Sequence, residues 1–206
     1  MQGTITDISV SDAERIVRKV DYPAMRDGPL FRLIFPSRAT TTEAQQNEII
    51  QWYAEGLEDA LRCKANKLLQ VCASDGTPLG FCGWTMEHRG QIRQVPRNSS
   101  LSQHGKKLLS LPEALDLSAW LSVSNDLRSE RERILGGWDN VCWLIFMSVH
   151  PDLQRHGLGS TLLKRVCDDM DELGWPAFVM SSPAGIRLYA KFGFDVVGRI
   201  ETCEGT

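Results

Sequence analysis

The chain has 206 residues, 42% of them hydrophobic and 24% charged, with a net charge of −3. That length supports one domain with a sizeable core, and the composition is that of an ordinary soluble globular protein. The acidic balance offers no electrostatic case for nucleic acid, no apolar run reaches the length of a membrane span, and the opening residues lack the basic-then-apolar pattern of a secretory signal. The six cysteines, at 63, 72, 82, 142, 167 and 203, form no C-x-x-C pair. This argues against a zinc site or any other metal, and several of them sit in apolar patterns that suit reduced thiols in a cytoplasmic protein.

Residues 4–10 alternate as an opening strand would. Ser11 or Asp12 can cap a short helix to about Val20, with Ile16, Val17 and Val20 inward. Residues 22–38 contain Pro23, Gly28, Pro29 and Pro36 and read as mostly loop. The same stretch holds Leu30, Phe31, Leu33, Ile34 and Phe35, which must either cap the core or line a binding pocket. Thr42 with Gln45 forms a capping-box pair for a helix to about Arg62, whose apolar stripe is Ile49, Tyr53, Leu57 and Leu61. Residues 67–73 and 79–85 are strands, and Asp75-Gly76 between them signals a hairpin.

Residues 87–138 are too long for an ordinary connection in a compact domain. The first half, from Arg89 through Lys107, is polar and basic. The second half predicts two helices, over 112–120 and 125–135. The segment reads as an insertion that closes over a binding site as a lid, or as surface decoration.

Residues 144–173 organise the chain. An apolar strand turns at His150-Pro151-Asp152, and apolar residues then recur at Leu158, Leu162, Val166 and Met170. A strand, a glycine-bearing turn and a helix start present backbone N–H groups that lack intrahelical partners, which suits phosphate. Gly157 and Gly159 have no Cβ to hold a pyrophosphate off the backbone. Gly174 ends the helix, and residues 177–181 form a short strand. Ser182-Pro183 opens another helix, Gly193 breaks it, and residues 194–200 return as a strand.

Gln154-Arg155-His156-Gly157-Leu158-Gly159 resembles the Q/R-x-x-G-x-G/A coenzyme A motif of the GNAT acetyltransferases, and it follows Val149-His150-Pro151, similar to the family's V-x-P. Leu188-Tyr189-Ala190-Lys191-Phe192-Gly193-Phe194 resembles the family's second signature, L-Y-x-K-x-G-F. The resemblance covers about residues 140–200 strongly and 66–86 moderately. It implies an α+β GNAT fold, with a mixed, mostly antiparallel central sheet flanked by helices, as one domain over 1–206 that carries the 87–138 insertion. It implies an acetyl-CoA-dependent N-acetyltransferase moving an acyl group directly to an amine in a ternary complex.

Cofactor contacts follow from the same resemblance. They are Met147, Ser148 and Val149 on the strand, Gln154, Arg155, His156, Gly157, Leu158, Gly159 and Ser160 in the turn, and Ser182 and Tyr189 beyond it. Ser182 stands where many family members carry asparagine. The family's strand bulge, which frees an N–H toward the thioester carbonyl, is expected near Ser148 and Val149. Tyr189 is the expected proton donor to the departing thiolate, because a phenol of pKa ~10 is protonated at neutral pH. The family's strand glutamate is replaced by Trp143, so the expected bases are Glu87 and Asp139, at strand ends.

The acidic balance and apolar loops favour a small-molecule amine acceptor. A competing reading is a non-catalytic GNAT-fold acyl-CoA-binding or scaffold protein, which the missing strand carboxylate favours. Residues 201–206 carry no apolar alternation for the family's last strand. The sheet edge is therefore expected to be filled by a shifted 194–200 strand or covered in a homodimer, or else the sequence is truncated relative to the working protein.

Overall fold

The computed structural model describes residues 3–88 and 111–201. Among these, five strands form one sheet in the order β1 (Thr4–Asp7), β2 (Asn66–Cys72), β3 (Pro78–His88), β4 (Asn140–Val149) and β5 (Ala177–Val179). The first three pairings are antiparallel, and β5 runs parallel to β4. The central strand β3 is buried along its first eight residues, as a strand covered on both faces must be. At Gly76 (φ 81°) the β2–β3 hairpin turns through the left-handed region open to glycine.

One face of the sheet carries the N-terminal helices. They are α1 (Ala13–Ile16), a π-helical turn (Val17–Asp21), α2 (Tyr22–Met25), α3 (Pro29–Ile34) and α4 (Glu43–Arg62). The Thr42–Gln45 capping box starts α4, and Ile49, Ile50, Ala54 and Leu57 bury its stripe. Residues 22–38 are thus largely helical rather than loop. Pro23 and Pro29 misled because they lie in first turns, where a missing N–H costs nothing. Phe31, Ile34 and Phe35 are buried in the core beside Ile16, Val20 and Ile49, which is the capping role.

The described part of the 87–138 insertion packs on this same face. It is one helix, α5 (Leu117–Leu135), rather than two, and Asp116 caps it by accepting from the Ala119 N–H at 2.9 Å. Val123 and Leu135 are buried, and Trp120 meets Trp52 of α4 with ring centroids 5.8 Å apart. The basic stretch from Arg89 through Lys107 lies outside the described residues.

The opposite face carries α6 (Leu158–Leu173) and α7 (Ile186–Ala190). Leu158, Leu162, Leu163, Val166 and Met170 of α6 are buried against Val71, Cys82, Trp84 and Leu144. Each such side chain contributes about 1.5–3 kcal/mol, so the helix start is fixed by burial. Gly174 (φ 63°) closes α6 in the left-handed conformation. The helix after Ser182-Pro183 is shorter than expected, because a turn occupies residues 183–185.

Residues 194–200 do not form the expected strand. Val196 and Val197 are 60% and 57% exposed, and Gly198 lies against Glu130, Arg133 and Ile134 of α5. A strand needs a backbone edge to pair with, and β5 offers three residues. The segment runs beside α5 instead, so the shifted-strand alternative does not occur. Residues 202–206 lie outside the described residues.

Candidate active site

The site is built on the outer half of β4. Its pairing with β5 covers only Cys142, Trp143 and Leu144, opposite Ala177, Phe178 and Val179. Immediately beyond, the β3–β4 register shifts: Gly83 faces Phe146 while Trp84 faces Leu144, leaving Ile145 as an extra residue. Such a bulge bends the strand and increases its twist. The bulge therefore lies at Ile145, not near Ser148 and Val149 as the family position suggested. From Ile145 to Val149 every residue is half-buried. Among the described residues nothing pairs with this stretch on its β5 side.

Past this open edge the chain makes a 3₁₀ turn over Pro151–Leu153 and enters α6. Gln154 Nε2 donates to the Val149 carbonyl at 3.2 Å, and His156 Nδ1 lies 2.9 Å from the Gln154 carbonyl. Arg155 has φ 68° and Gly157 φ 89°. A left-handed arginine costs about 1–2 kcal/mol, a strain that accompanies function more often than packing. Alternation of such residues curls successive N–H groups into an anion-binding concavity. Gly157 caps α6 without a side-chain hydrogen bond. A capping side chain is worth roughly 1 kcal/mol, less than α6 gains from burial, and its absence leaves the N–H groups to a ligand. A Cβ on Gly157 would meet nothing within 4 Å, so the ground above it is open. Gly159 plays another part: a Cβ there would press on Leu188 of α7 at 3.2 Å.

The two faces of the open edge carry different chemistry. On the α6 side, Met147 packs in the cluster that holds Cys82 and Tyr189. Tyr189 is 7% exposed, and its ring meets Phe194 edge-on at 5.6 Å. Burial pushes its hydroxyl up to about 12, so it holds its proton at neutral pH. On the other side, Ser148 Oγ donates to Asp21 Oδ1 at 2.6 Å. Asp21 ends the π-helical turn, and desolvation raises its carboxyl above the ordinary aspartate value while the Ser148 hydrogen bond opposes that. Tyr53 of α4 stands close enough to feel the Asp21 charge, and burial holds its phenol far above the usual range.

Residues 116–194 match the model of the Acetyltransferase (GNAT) family. Over that segment the chain is similar to the GNAT acetyltransferases. Over 117 residues it is 26% identical to the [Ribosomal protein bS18]-alanine N-acetyltransferase of Salmonella typhimurium, covering 54% of this chain and 72% of that protein. Among solved structures, the histone acetyltransferase HPA2 and related acetyltransferase from Corynebacterium glutamicum superposes with a TM-score of 0.63 at 16% identity, over 100% of this chain and 92% of the other. AAC(6′)-Iy in complex with the bisubstrate analog CoA-S-monomethyl-acetylneamine superposes at 0.51 and 13% identity, over 100% and 99%. At these identities the structures show the fold, which is the α+β GNAT fold.

In GNAT terms, the strand-glutamate place is closed off here. Trp143 lies under α5 with the Arg131 guanidinium 4.1 Å above its ring, in a cluster with Leu135, Val141 and Phe178. Glu87 faces Val141, whereas Gly80 faces Val149. Seven residues of strand, about 23 Å, thus separate Glu87 from the turn. Asp139 is exposed at that same far end. The structure brings neither acid to the open edge. Ser182 is exposed before α7, with its carbonyl accepting from Ser181 Oγ at 2.8 Å. The acid that does reach the edge, Asp21, was missed. Its signal was its place four residues after Val17, where it continues the buried stripe of Ala13, Ile16, Val17 and Val20. Among the described residues, no group of three or more His, Cys, Asp or Glu is arranged to hold a metal ion, and no helix is long and apolar enough to cross a membrane.

Proposed function

We propose that this chain is an acetyl-CoA-dependent N-acetyltransferase that moves the acetyl group directly to the amine of a small molecule within a ternary complex. The observation that carries this reading is the open edge of β4 beyond Leu144, leading straight into the uncapped start of α6. Coenzyme A fits both parts. Residues 145–149 offer unpaired strand backbone to the pantetheine amides, as to an added strand. Residues 155–160 offer N–H groups and the Arg155 cation to the pyrophosphate. Bound acetyl-CoA supplies the activated acyl thioester.

The chain's own residues divide the remaining work. The bulge at Ile145 turns a backbone N–H out of the ladder, which suits stabilisation of charge on the thioester oxygen. Tyr189, protonated at neutral pH, donates to the departing thiolate. Met147, Ser148 and Val149 hold the pantetheine, and Gln154 fixes the strand end by its bond to the Val149 carbonyl. Helix α5 closes the acceptor side of the domain, beside the residues of α3 and α4. The free thiols Cys72, Cys82 and Cys142 in the core favour a cytoplasmic setting.

A second reading takes a protein N-terminal amine as acceptor, favoured by the name of the Salmonella relative. The test is calorimetry with acetyl-CoA, followed by thiol release with spermidine, an aminoglycoside and an alanine-initial peptide. Micromolar binding with turnover of a small amine is the expected result. Turnover of the peptide alone would favour the second reading. Binding without turnover of any amine would leave a coenzyme A-binding protein.

A further inference from the structure

The attacking amine must be neutral, so its proton needs an acceptor at the open edge of β4. Glu87 and Asp139 stand at the wrong end of the sheet, and Trp143 occupies the family's strand-acid place. From the geometry we infer that Asp21 binds the acceptor amine and takes its proton, with Ser148 as the positioning residue that orients the carboxylate. This rests on the acetyl-transfer reading above.

Four observations support it. Ser148 lies on the stretch of β4 that is open on its β5 side, so the carboxylate it holds is at the reacting end of the sheet. Only one carboxylate oxygen is engaged: Oδ1 accepts from Ser148, and Oδ2 has no partner among the described residues. No cation pairs with Asp21 there either. Arg18, on the same turn, is held by Glu14 at 2.9 Å and Asn47 at 2.7 Å. Of the other elements packed on Asp21, α4 presents Tyr53, a neutral phenol, and β4 presents Ser148. The part of β3 opposite carries Cys82 as its only ionisable group, and that side chain faces the other side of the sheet. Finally, Asp21 is placed by a π-helical turn, a rare irregularity that recurs at functional sites. A desolvated carboxylate without a counter-ion is costly, and a substrate ammonium supplies the missing cation. Burial also lifts the carboxyl toward the pH range in which a base works best.

The step balances. The ammonium gives one proton to Asp21, and the neutral amine forms the C–N bond at the thioester carbonyl carbon. The C–S bond breaks as the thiolate takes a proton from Tyr189. The second N–H proton passes to water as the amide forms, Asp21 gives its proton to water, and the Tyr189 phenolate takes one back, so that one proton in all is released to solvent.

The test uses the full chain with three variants and a carboxylate signal. Asp21→Asn should lower kcat/KM by about 10²-fold with acetyl-CoA affinity unchanged. In Ser148→Ala the hydrogen bond that lowers the Asp21 pKa is lost, so the acid limb of the kcat profile should move to higher pH, and Ser148→Thr should restore it. Full kcat/KM in Asp21→Asn, or an unmoved acid limb in Ser148→Ala, would overturn the inference. A readout independent of turnover is ¹³C-carboxylate NMR of the coenzyme A-loaded protein, with the Asp21 signal assigned by its loss in Asp21→Asn. Adding spermidine should lower the apparent pKa of Asp21, and an unchanged titration would refute amine binding there. If no amine is acetylated while coenzyme A binds, the transfer reading fails, and the NMR titration still decides whether Asp21 holds an ammonium.

Discussion

Gly157 and Gly76 offer a matched pair for testing whether the turn before α6 is a phosphate site. Both have a left-handed backbone, with φ of 89° and 81°, and a Cβ on either would meet nothing within 4 Å. Alanine at each therefore costs the left-handed penalty of about 1–2 kcal/mol, less about 0.4–1 kcal/mol returned because alanine restricts the unfolded chain. The net loss is ~1 kcal/mol in both, which for a domain of this size lowers Tm by about 2–4 °C. Gly76 lies in the β2–β3 hairpin, where its carbonyl accepts from Arg15 Nη1, a bond that alanine preserves. Gly157 lies where the pyrophosphate would rest. Gly157→Ala should thus weaken coenzyme A binding at least tenfold, about 1.4 kcal/mol, while Gly76→Ala leaves it unchanged. Thermal unfolding measures the first quantity and calorimetry the second. Equal coenzyme A affinity in the two folded variants would remove the turn from the site. A much larger stability loss at Gly157 than at Gly76 would show that packing, not ligand access, sets the glycine.

Tyr189→Phe keeps the ring against Phe194 and removes the hydroxyl. It should lower kcat by about 10²-fold with little change in coenzyme A affinity, and an unchanged kcat in steady-state assays would leave Tyr189 a packing residue. Asp21 also links stability to pH. Its folded pKa is raised, so as pH climbs above the unfolded value of about 3.9 the unfolded chain releases this proton first, and wild-type stability falls through the folded pKa. Asp21→Asn removes that loss. Its Tm relative to wild type should therefore be more favourable at pH 8 than at pH 4, and a constant difference would mean that Asp21 is not desolvated.

Local patterns determined much of this protein. The continuous apolar run of β3, the i, i+4 stripes of α4 and α6, the Thr42–Gln45 capping box and the left-handed glycines at 76, 157 and 174 each depend on neighbours a few residues away, so they are legible in the chain itself. The turn at residues 154–160 was legible for the same reason, since its chemistry resides in consecutive backbone N–H groups. What the tertiary structure decided depends on partners distant in sequence. Ile145 is a bulge only because Gly83 and Trp84 set the opposing register, and the pairing of β5 stops just before it. Residues 194–200 have the composition of a strand, yet they lie beside α5, because pairing needs an available edge as well as propensity. Trp143 packs under α5, which closes that part of the strand to any ligand. Asp21 joins Ser148 across 127 positions of sequence. The contact requires a π-helical turn to aim one side chain and an open strand to receive it, and neither leaves a local pattern to read.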